Sequence, residues 1–380
     1  MHIAIDARFI GPKQTGLGRY TDELVRNLEK IDSENQYTII LRREGMEYYQ
    51  PEAKNFAKIE ADYLWYSVAE QMKLPRILKK IDADFIHFCH FNVPYFWRQP
   101  FIVTIHDLIK DEFKGQESTT RSSLAYAVKH KAYGTVSGSA IKRADYILTP
   151  SQATKDKIKE KYKITDQKIF VTHEAADPRF AKYRQLQVTD QDKAYLQKKY
   201  NVKFPFLLYV GNSYPYKNLN RLLDALKKID QDINFVNPCA RSVFYERLKE
   251  SAASKGLAKR VILPGFVSDE DLPLFYRTAT AYVFPSLSEG FGLPLLEAQM
   301  AGLPIASSSA PPLPEIGGQG ALYFDPHNSD DMAAKINQVL ASQDLRDKLV
   351  AQGLENIKKF SWQKTAKQTL AVYQKMQHVR

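Results

Sequence analysis

Short, continuously apolar runs alternate with amphipathic helical stretches along this chain, and near residue 206 the alternation begins afresh. The first series is 2–7, 37–41, 85–88, 101–105 and 146–149, rich in Ile, Val, Phe and Thr. Runs that are apolar throughout, with no polar alternation, suit strands covered on both faces. In the first stretch between them, Tyr20, Leu24, Val25 and Leu28 fall on one helical face, with Asp22, Glu23 and Arg26 on the other. The second series is 206–210, 233–236, 261–263, 281–284 and 304–306, with a helix predicted over 219–229. Strands that alternate with helices form a parallel sheet with helices on its faces. Two such series predict an α/β chain with two sheets.

The length agrees. A chain of 380 residues exceeds the roughly 250–300 at which one core stops growing. The join is expected in the polar stretch 177–192, which opens on Asp177-Pro178 and has little periodicity. This gives a first domain over 1–182 and a second over 183–361. Ser361 is expected to cap a last helix from Trp362 to about Gln377, with Trp362, Ala366, Leu370, Val372, Tyr373 and Met376 opposite a basic face.

Composition removes several function classes. Apolar residues at 44% and charged residues at 26% are an ordinary globular mix, and no apolar run reaches the ~18 residues of a membrane span. Met1 to Ile5 meets Asp6 at once and reads as a strand, not a leader peptide. Cys89 and Cys239 stand far apart, and no Cys/His cluster has zinc spacing. Two thiols without a disulfide framework fit a reducing cytosol. The net charge of +11 favours anionic partners such as phosphates, nucleic acid or an acidic membrane face. No nucleic-acid-binding signature accompanies it.

The segment Ser286-Leu287-Ser288-Glu289-Gly290-Phe291-Gly292-Leu293-Pro294-Leu295-Leu296-Glu297 carries the most chemistry. It follows a strand and leads into a helix, whose first backbone N–H groups attract an anion. Glu289 precedes the turn, and Glu297 is expected two turns into the helix. Carboxylates are poor phosphate ligands but good acceptors for paired sugar hydroxyls. The structural alternative is a glycine-rich turn with solvated glutamates.

This segment resembles the E-x7-E element of retaining GT-B glycosyltransferases, the large family-4-like group that includes many bacterial mannosyltransferases. The resemblance runs through Ile3–Arg8, Thr15–Tyr20, Leu74-Pro75-Arg76, Thr104–Leu108, Asp145–Ser151, Tyr209-Val210-Gly211, Lys217-Asn218-Leu219, Leu263–Val267 and Phe360-Ser361-Trp362. It implies two Rossmann-like doubly wound domains facing an interdomain cleft, with the last helix crossing back to the N-terminal domain. It also implies transfer of a hexose, mannose favoured, from a GDP- or UDP-linked sugar to a glycan or lipid-linked acceptor, without cofactor or metal. The first domain takes the acceptor side and the second the donor.

Residue by residue, Lys217 matches the family's phosphate lysine; the alternative is a surface lysine. Many relatives carry an Arg just after the glycine or just before this lysine, where this chain has Asn212 and Tyr216. The clamp then rests on Lys217, backbone amides over Gly290, Phe291, Gly292 and Leu293, and a second cation for which Arg241 is one candidate. Glu289 and His106 match positions beside the transferred sugar, Glu297 the ribose, and Phe266 the base. For His106 the alternative is a satisfied structural histidine. Gly16 and Gly18 are expected in a loop before the first helix, near the donor phosphates. They are not a nicotinamide fingerprint, since Thr21 stands where its third glycine belongs. His87 and His90 around Cys89 read as packing and acceptor-side contacts in preference to a metal site.

The basic stretch 121–143, with Lys129, His130, Lys131, Lys142 and Arg143, is either a solvated helix face or a peripheral contact with an anionic membrane. The expected place is cytoplasmic, at the inner face of the cell membrane where that contact operates. A sugar-nucleotide epimerase of the same fold and a non-catalytic membrane-associated scaffold are the competing functions. A nucleic-acid binder, with steep salt dependence, is a third.

Overall fold

The computed structural model describes residues 1–12, 16–113, 123–185, 187–229 and 232–378, without the side chains of 123–132 and of residue 183. The chain forms two compact units. The first holds Met1–Glu112, Arg121–Glu174 and Ser361–Arg380, and the second Phe113–Thr120 and Ala175–Phe360.

The first unit is built on strands β1 (His2–Asp6), β2 (Gln36–Leu41), β3 (Phe56–Glu60), β4 (Phe85–Phe88), β5 (Phe101–Thr104), β6 (Tyr146–Thr149) and β7 (Ile169–Val171). Their order is β3-β2-β1-β4-β5-β6-β7, every pair parallel. The second unit has β8 (Phe206–Leu208), β9 (Asn234–Pro238), β10 (Val261–Gly265), β11 (Ala281–Phe284), β12 (Ile305–Ser308) and β13 (Leu322–Phe324), in the order β10-β9-β8-β11-β12-β13, again parallel. Both sheets are doubly wound. The order reverses between β1 and β4 in the first and between β8 and β11 in the second, and ligands of such sheets bind beyond the strand ends at that reversal.

Central strands are buried along their whole length, β4, β5 and β11 at every residue. Burial on both faces explains their unbroken apolar sequence. Four helices matter below: α1 (Gly16–Ile31), α2 (Val68–Ile81), α3 (Leu293–Met300) and α4 (Trp362–Lys375). Helix α4 begins as expected, the Ser361 hydroxyl accepting from the Lys364 N–H. Its buried residues include Trp362, Ala366, Val372 and Tyr373, and it packs along α1 within the first unit.

Two local expectations are corrected. Helix α1 starts at Gly16, so Gly16 and Gly18 stand in its first turn and not in a loop before it. Gly18 is buried, and the Thr21 hydroxyl donates to the Leu17 carbonyl, so the amphipathic face continues one turn further back. Helix α3 starts only at Leu293, which puts Glu297 just over one turn in, not two. Gly292 precedes it at φ 105°, a left-handed conformation that ends the loop there. A Cβ on Gly292 would also lie 2.9 Å from Leu313 Cδ2.

Candidate functional site

In the second unit, two loops leave the strands on either side of the sheet's reversal. One follows β8 and carries Lys217; the other follows β11 and carries Glu289. Asn218 ties them together. It sits at φ 61°, a left-handed position that Asn tolerates better than most residues. Its side-chain amide donates to the carbonyls of Pro285, at 3.0 Å, and Pro326, at 2.8 Å. The Leu287 N–H donates to the Tyr216 carbonyl at 2.8 Å, a second tie. The result is a close ion pair, Lys217 Nζ to Glu289 Oε1 at 2.6 Å, with side chains 13% and 9% exposed. The ammonium also lies over the rings of Tyr216 and Phe284.

Glu297 lies in α3, buried, and accepts a hydrogen bond from the Tyr276 hydroxyl at 2.9 Å. Burial, aided by the charges of Glu297 and Glu289, pushes the Tyr282 phenol well above its usual range. Burial and the Glu289 charge do the same to Tyr209. Neither phenol therefore ionises near neutral pH, and both are neutral walls beside the carboxylates. Of the remaining expected donor residues, Gly290 and Leu293 are half-buried, Phe291 and Gly292 buried, and Asn212 exposed. The Asn212 backbone carbonyl accepts from the Tyr209 hydroxyl at 3.3 Å. Phe266 follows β10 and is 76% exposed. Arg241 is exposed beside Gly265, its Nε 3.9 Å from where a Cβ on that glycine would lie.

In the first unit, His106 follows β5 and is largely buried, its side chain 12% exposed. Its Nδ1 meets Glu174 Oε1 at 3.0 Å and its Nε2 meets the Cys89 carbonyl at 3.0 Å. The two contacts fix the orientation of the ring. Tyr20 packs edge-on against it. His87 is a packing residue. It is fully buried, with Nδ1 to the Tyr373 hydroxyl at 2.6 Å and Nε2 to the Thr104 hydroxyl at 2.8 Å, and burial followed by the His106 charge lowers its pKa to about 3. Burial likewise holds His90 well below the usual histidine range. Among the described residues no cluster of His, Cys, Asp and Glu has the makings of a metal site. The side chains of Lys129, His130 and Lys131 lie outside the described residues.

The sequence reading passed over a buried ion network at the reversal of the first sheet. Arg8, 1% exposed, donates from Nε and Nη2 to the two oxygens of Asp6, both at 2.7 Å, and its Nη2 meets Glu70 Oε1 at 2.7 Å. Asn92 donates to Glu70 Oε2 at 2.6 Å. Burial works against the guanidinium's charge, but Asp6 and Glu70 outweigh it and raise its pKa. Burial pushes the Glu70 carboxyl up against the pull of Arg8. The sequence signal was present, since an Asp-x-Arg at a strand end puts opposite charges on one side of the chain. The Tyr276 hydroxyl and the Asn218 amide nitrogen gave no comparable signal, because the groups they donate to stand 21 and at least 67 residues away.

Comparison with known proteins follows the same division. A family model described as glycosyl transferases group 1 matches residues 190–356, and one described as glycosyltransferase family 4 matches residues 14–180. O-antigen chain mannosyltransferase B of Escherichia coli is 35% identical over 175 residues, 44% of this chain and 45% of that protein, so the match spans less than half of that relative's length. O-antigen chain mannosyltransferase RfbU of Salmonella typhimurium is 25% identical over 276 residues, 73% of this chain and 70% of that protein. Among solved structures, sucrose-phosphate synthase from Thermosynechococcus elongatus superposes with a TM-score of 0.75 at 18% identity, over 100% of both chains, which speaks to the fold. With a family-4 domain in its first half, a group-1 domain in its second and a doubly wound parallel sheet in each, the chain belongs to the family-4-like glycosyltransferases.

Proposed function

We propose that this protein is a retaining hexosyltransferase that moves mannose from a nucleotide-linked donor to a glycan or lipid-linked acceptor. The Lys217–Glu289 pair carries the reading. A nucleotide sugar offers, side by side, what each member lacks: diphosphate oxygens for the ammonium and sugar hydroxyls for the carboxylate. Donor binding then exchanges one ion pair for two sets of charge-assisted hydrogen bonds. The mannosyltransferase names of the two O-antigen relatives support the choice of sugar.

In this reading Lys217 and the backbone N–H groups over Gly290–Leu293 stabilise charge as it develops on the leaving diphosphate. Glu289 holds hydroxyls of the transferred sugar, Glu297 takes the ribose and Phe266 the base. The anomeric carbon–oxygen bond to the diphosphate breaks while the acceptor oxygen bonds on the same face. The leaving phosphate oxygen takes the acceptor's proton, so configuration is retained. No side chain needs to act as nucleophile, and the reaction is proposed to run without a metal.

The test is a panel of GDP- and UDP-sugars, scored by the shift in melting temperature, since a ligand of the native state raises it. A stabilising sugar is then offered with glycan acceptors in chelator, and the product's anomeric configuration is read by NMR. Retained configuration in a GDP-mannose product is expected. Inverted product, metal-dependent turnover, or epimerised donor with no transfer would each overturn part of the reading.

A further inference from the structure

Large apolar side chains are unevenly exposed. Of those standing exposed among the described residues, half fall in two short stretches of the first unit: Leu64, Tyr66, Val68 and Met72, then Tyr95 and Phe96. Val68 and Phe96 are the most exposed of these six, at 75% and 77%. The stretches are neighbours, because the Tyr95 N–H donates to Gln71 Oε1 at 2.8 Å. The Tyr95-Phe96 tip is held from behind, where Arg98 Nη1 donates to the carbonyls of Tyr95 and Trp97 and Arg143 donates to those of Trp97 and Pro94.

Helix α2 explains how the surface is built. Glu70, Leu74 and Leu78 face inward. At 100° per residue, Val68, Met72 and Lys79 lie on the opposite side, with Lys73, Arg76 and Lys80 beside them and exposed. The outer face is thus apolar at the helix start and basic at its end. The helix's single carboxylate, Glu70, faces inward and is already engaged. Arg98, at the foot of the Phe96 tip, is exposed too. Single exposed apolar residues are ordinary, but a contiguous group bordered by cations marks an interaction surface.

We infer that this surface docks the first unit onto an anionic lipid bilayer. Leu64, Val68, Met72 and Phe96 enter the boundary between headgroups and acyl chains, Tyr66 and Tyr95 lie at headgroup depth, and the basic residues meet lipid phosphates. The charge pattern selects this occupant over a second copy of the chain, since a two-fold contact would bring the two basic borders together. No helix among the described residues is long and apolar enough to cross a membrane. The inference does not depend on the proposed transfer reaction.

Vesicle flotation tests it, using phosphatidylcholine alone and phosphatidylcholine mixed with phosphatidylglycerol. The full chain should bind the mixed vesicles at least about tenfold more tightly, and less so as salt rises. A Val68→Ser/Met72→Ser/Phe96→Ser variant should lose about tenfold or more. Arg76→Gln/Lys79→Gln/Lys80→Gln should lose the preference for anionic vesicles. Brominated lipid should quench the emission of Trp65 and Trp97, which stand in or next to the two stretches. Unchanged circular dichroism melting of each variant keeps the result interpretable. Vesicle binding by the serine variant equal to that of the native chain overturns the inference. So does a native chain that ignores vesicles and self-associates through this surface instead.

Discussion

The two units share a sheet plan and differ at the point where that plan makes room for a ligand. Where the first sheet reverses, Arg8 is sealed between its own carboxylates, Asp6 and Glu70, at 1% exposure. Where the second reverses, Lys217 and Glu289 meet as one pair with some access to solvent. A cation held by two buried carboxylates is structural, because taking either partner away strands a charge in low dielectric. A cation held by one carboxylate with some access to solvent is the more exchangeable, because a ligand that supplies new partners to both members strands no charge. Identical topology therefore leaves function undecided, and the count of partners around a charge decides it.

The sharpest way to break this comparison is to remove both cations. Arg8→Met should destabilise the first unit by about 3–5 kcal/mol, the usual cost of an orphaned buried charge. Lys217→Met should cost less than that, because it leaves one carboxylate with some access to water where Arg8→Met leaves two sealed ones. All three tryptophans lie in the first unit, so the urea midpoint of tryptophan emission reads Arg8→Met directly, and circular dichroism reads both. Equal losses would erase the distinction.

Binding should rank the units the other way. Lys217→Ala should weaken a nucleoside diphosphate by about 1.5–3 kcal/mol, the worth of a charge-assisted hydrogen bond, measured by titration calorimetry without metal. A variant that binds like the native chain removes Lys217 from the clamp.

The two glutamates sharpen the picture within the second unit. Glu289→Gln should lower kcat about tenfold, because an amide accepts hydroxyl hydrogen bonds more weakly than a carboxylate. Glu297→Gln should chiefly raise the donor KM, as loss of uniform binding does. Tyr276→Phe should follow Glu297→Gln, since the phenol fixes that carboxylate. Free nucleoside diphosphate is the control: it should lose affinity with Glu297→Gln and keep it with Glu289→Gln. The opposite pattern exchanges the two roles.

A further expected effect is in pH. His87 is neutral in the folded chain down to about pH 3, while the unfolded chain takes up its proton near 6.5. A depressed pKa contributes stability above the unfolded value and loses it on acidification, here at up to about 1.4 kcal/mol per pH unit below 6.5. His87→Gln should flatten that slope in urea titrations of the first unit between neutral and mildly acidic pH. The only histidine of the second unit, His327, is exposed, and a slope of similar size there would contradict the assignment.

The central strands of both sheets were legible in the sequence, because burial on two faces demands unbroken apolar runs. The edge strands β3, β7 and β13 were not. Phe56-Ala57-Lys58-Ile59-Glu60 is buried only at Phe56, and the other two are three residues long. A half-covered edge needs little apolar sequence and leaves little to read. The Ser361 cap was legible for the opposite reason, since capping is local and its signal lies within a turn.

By itself the sequence determined two parallel α/β units, the helix that begins after Ser361, and the loops that carry Lys217 and Glu289. Those features follow from periodicity, capping and turn chemistry among near neighbours. Only the tertiary structure decided that Lys217 meets Glu289 across 72 positions, that Tyr276 anchors Glu297, that Arg8 is sealed, and that α3 waits until Leu293 to begin. Each of these depends on which strand ends the sheet order brings together. A pairing between distant residues leaves no period in the sequence, since its energy comes from burial and partner charges that exist only once both sheets have formed.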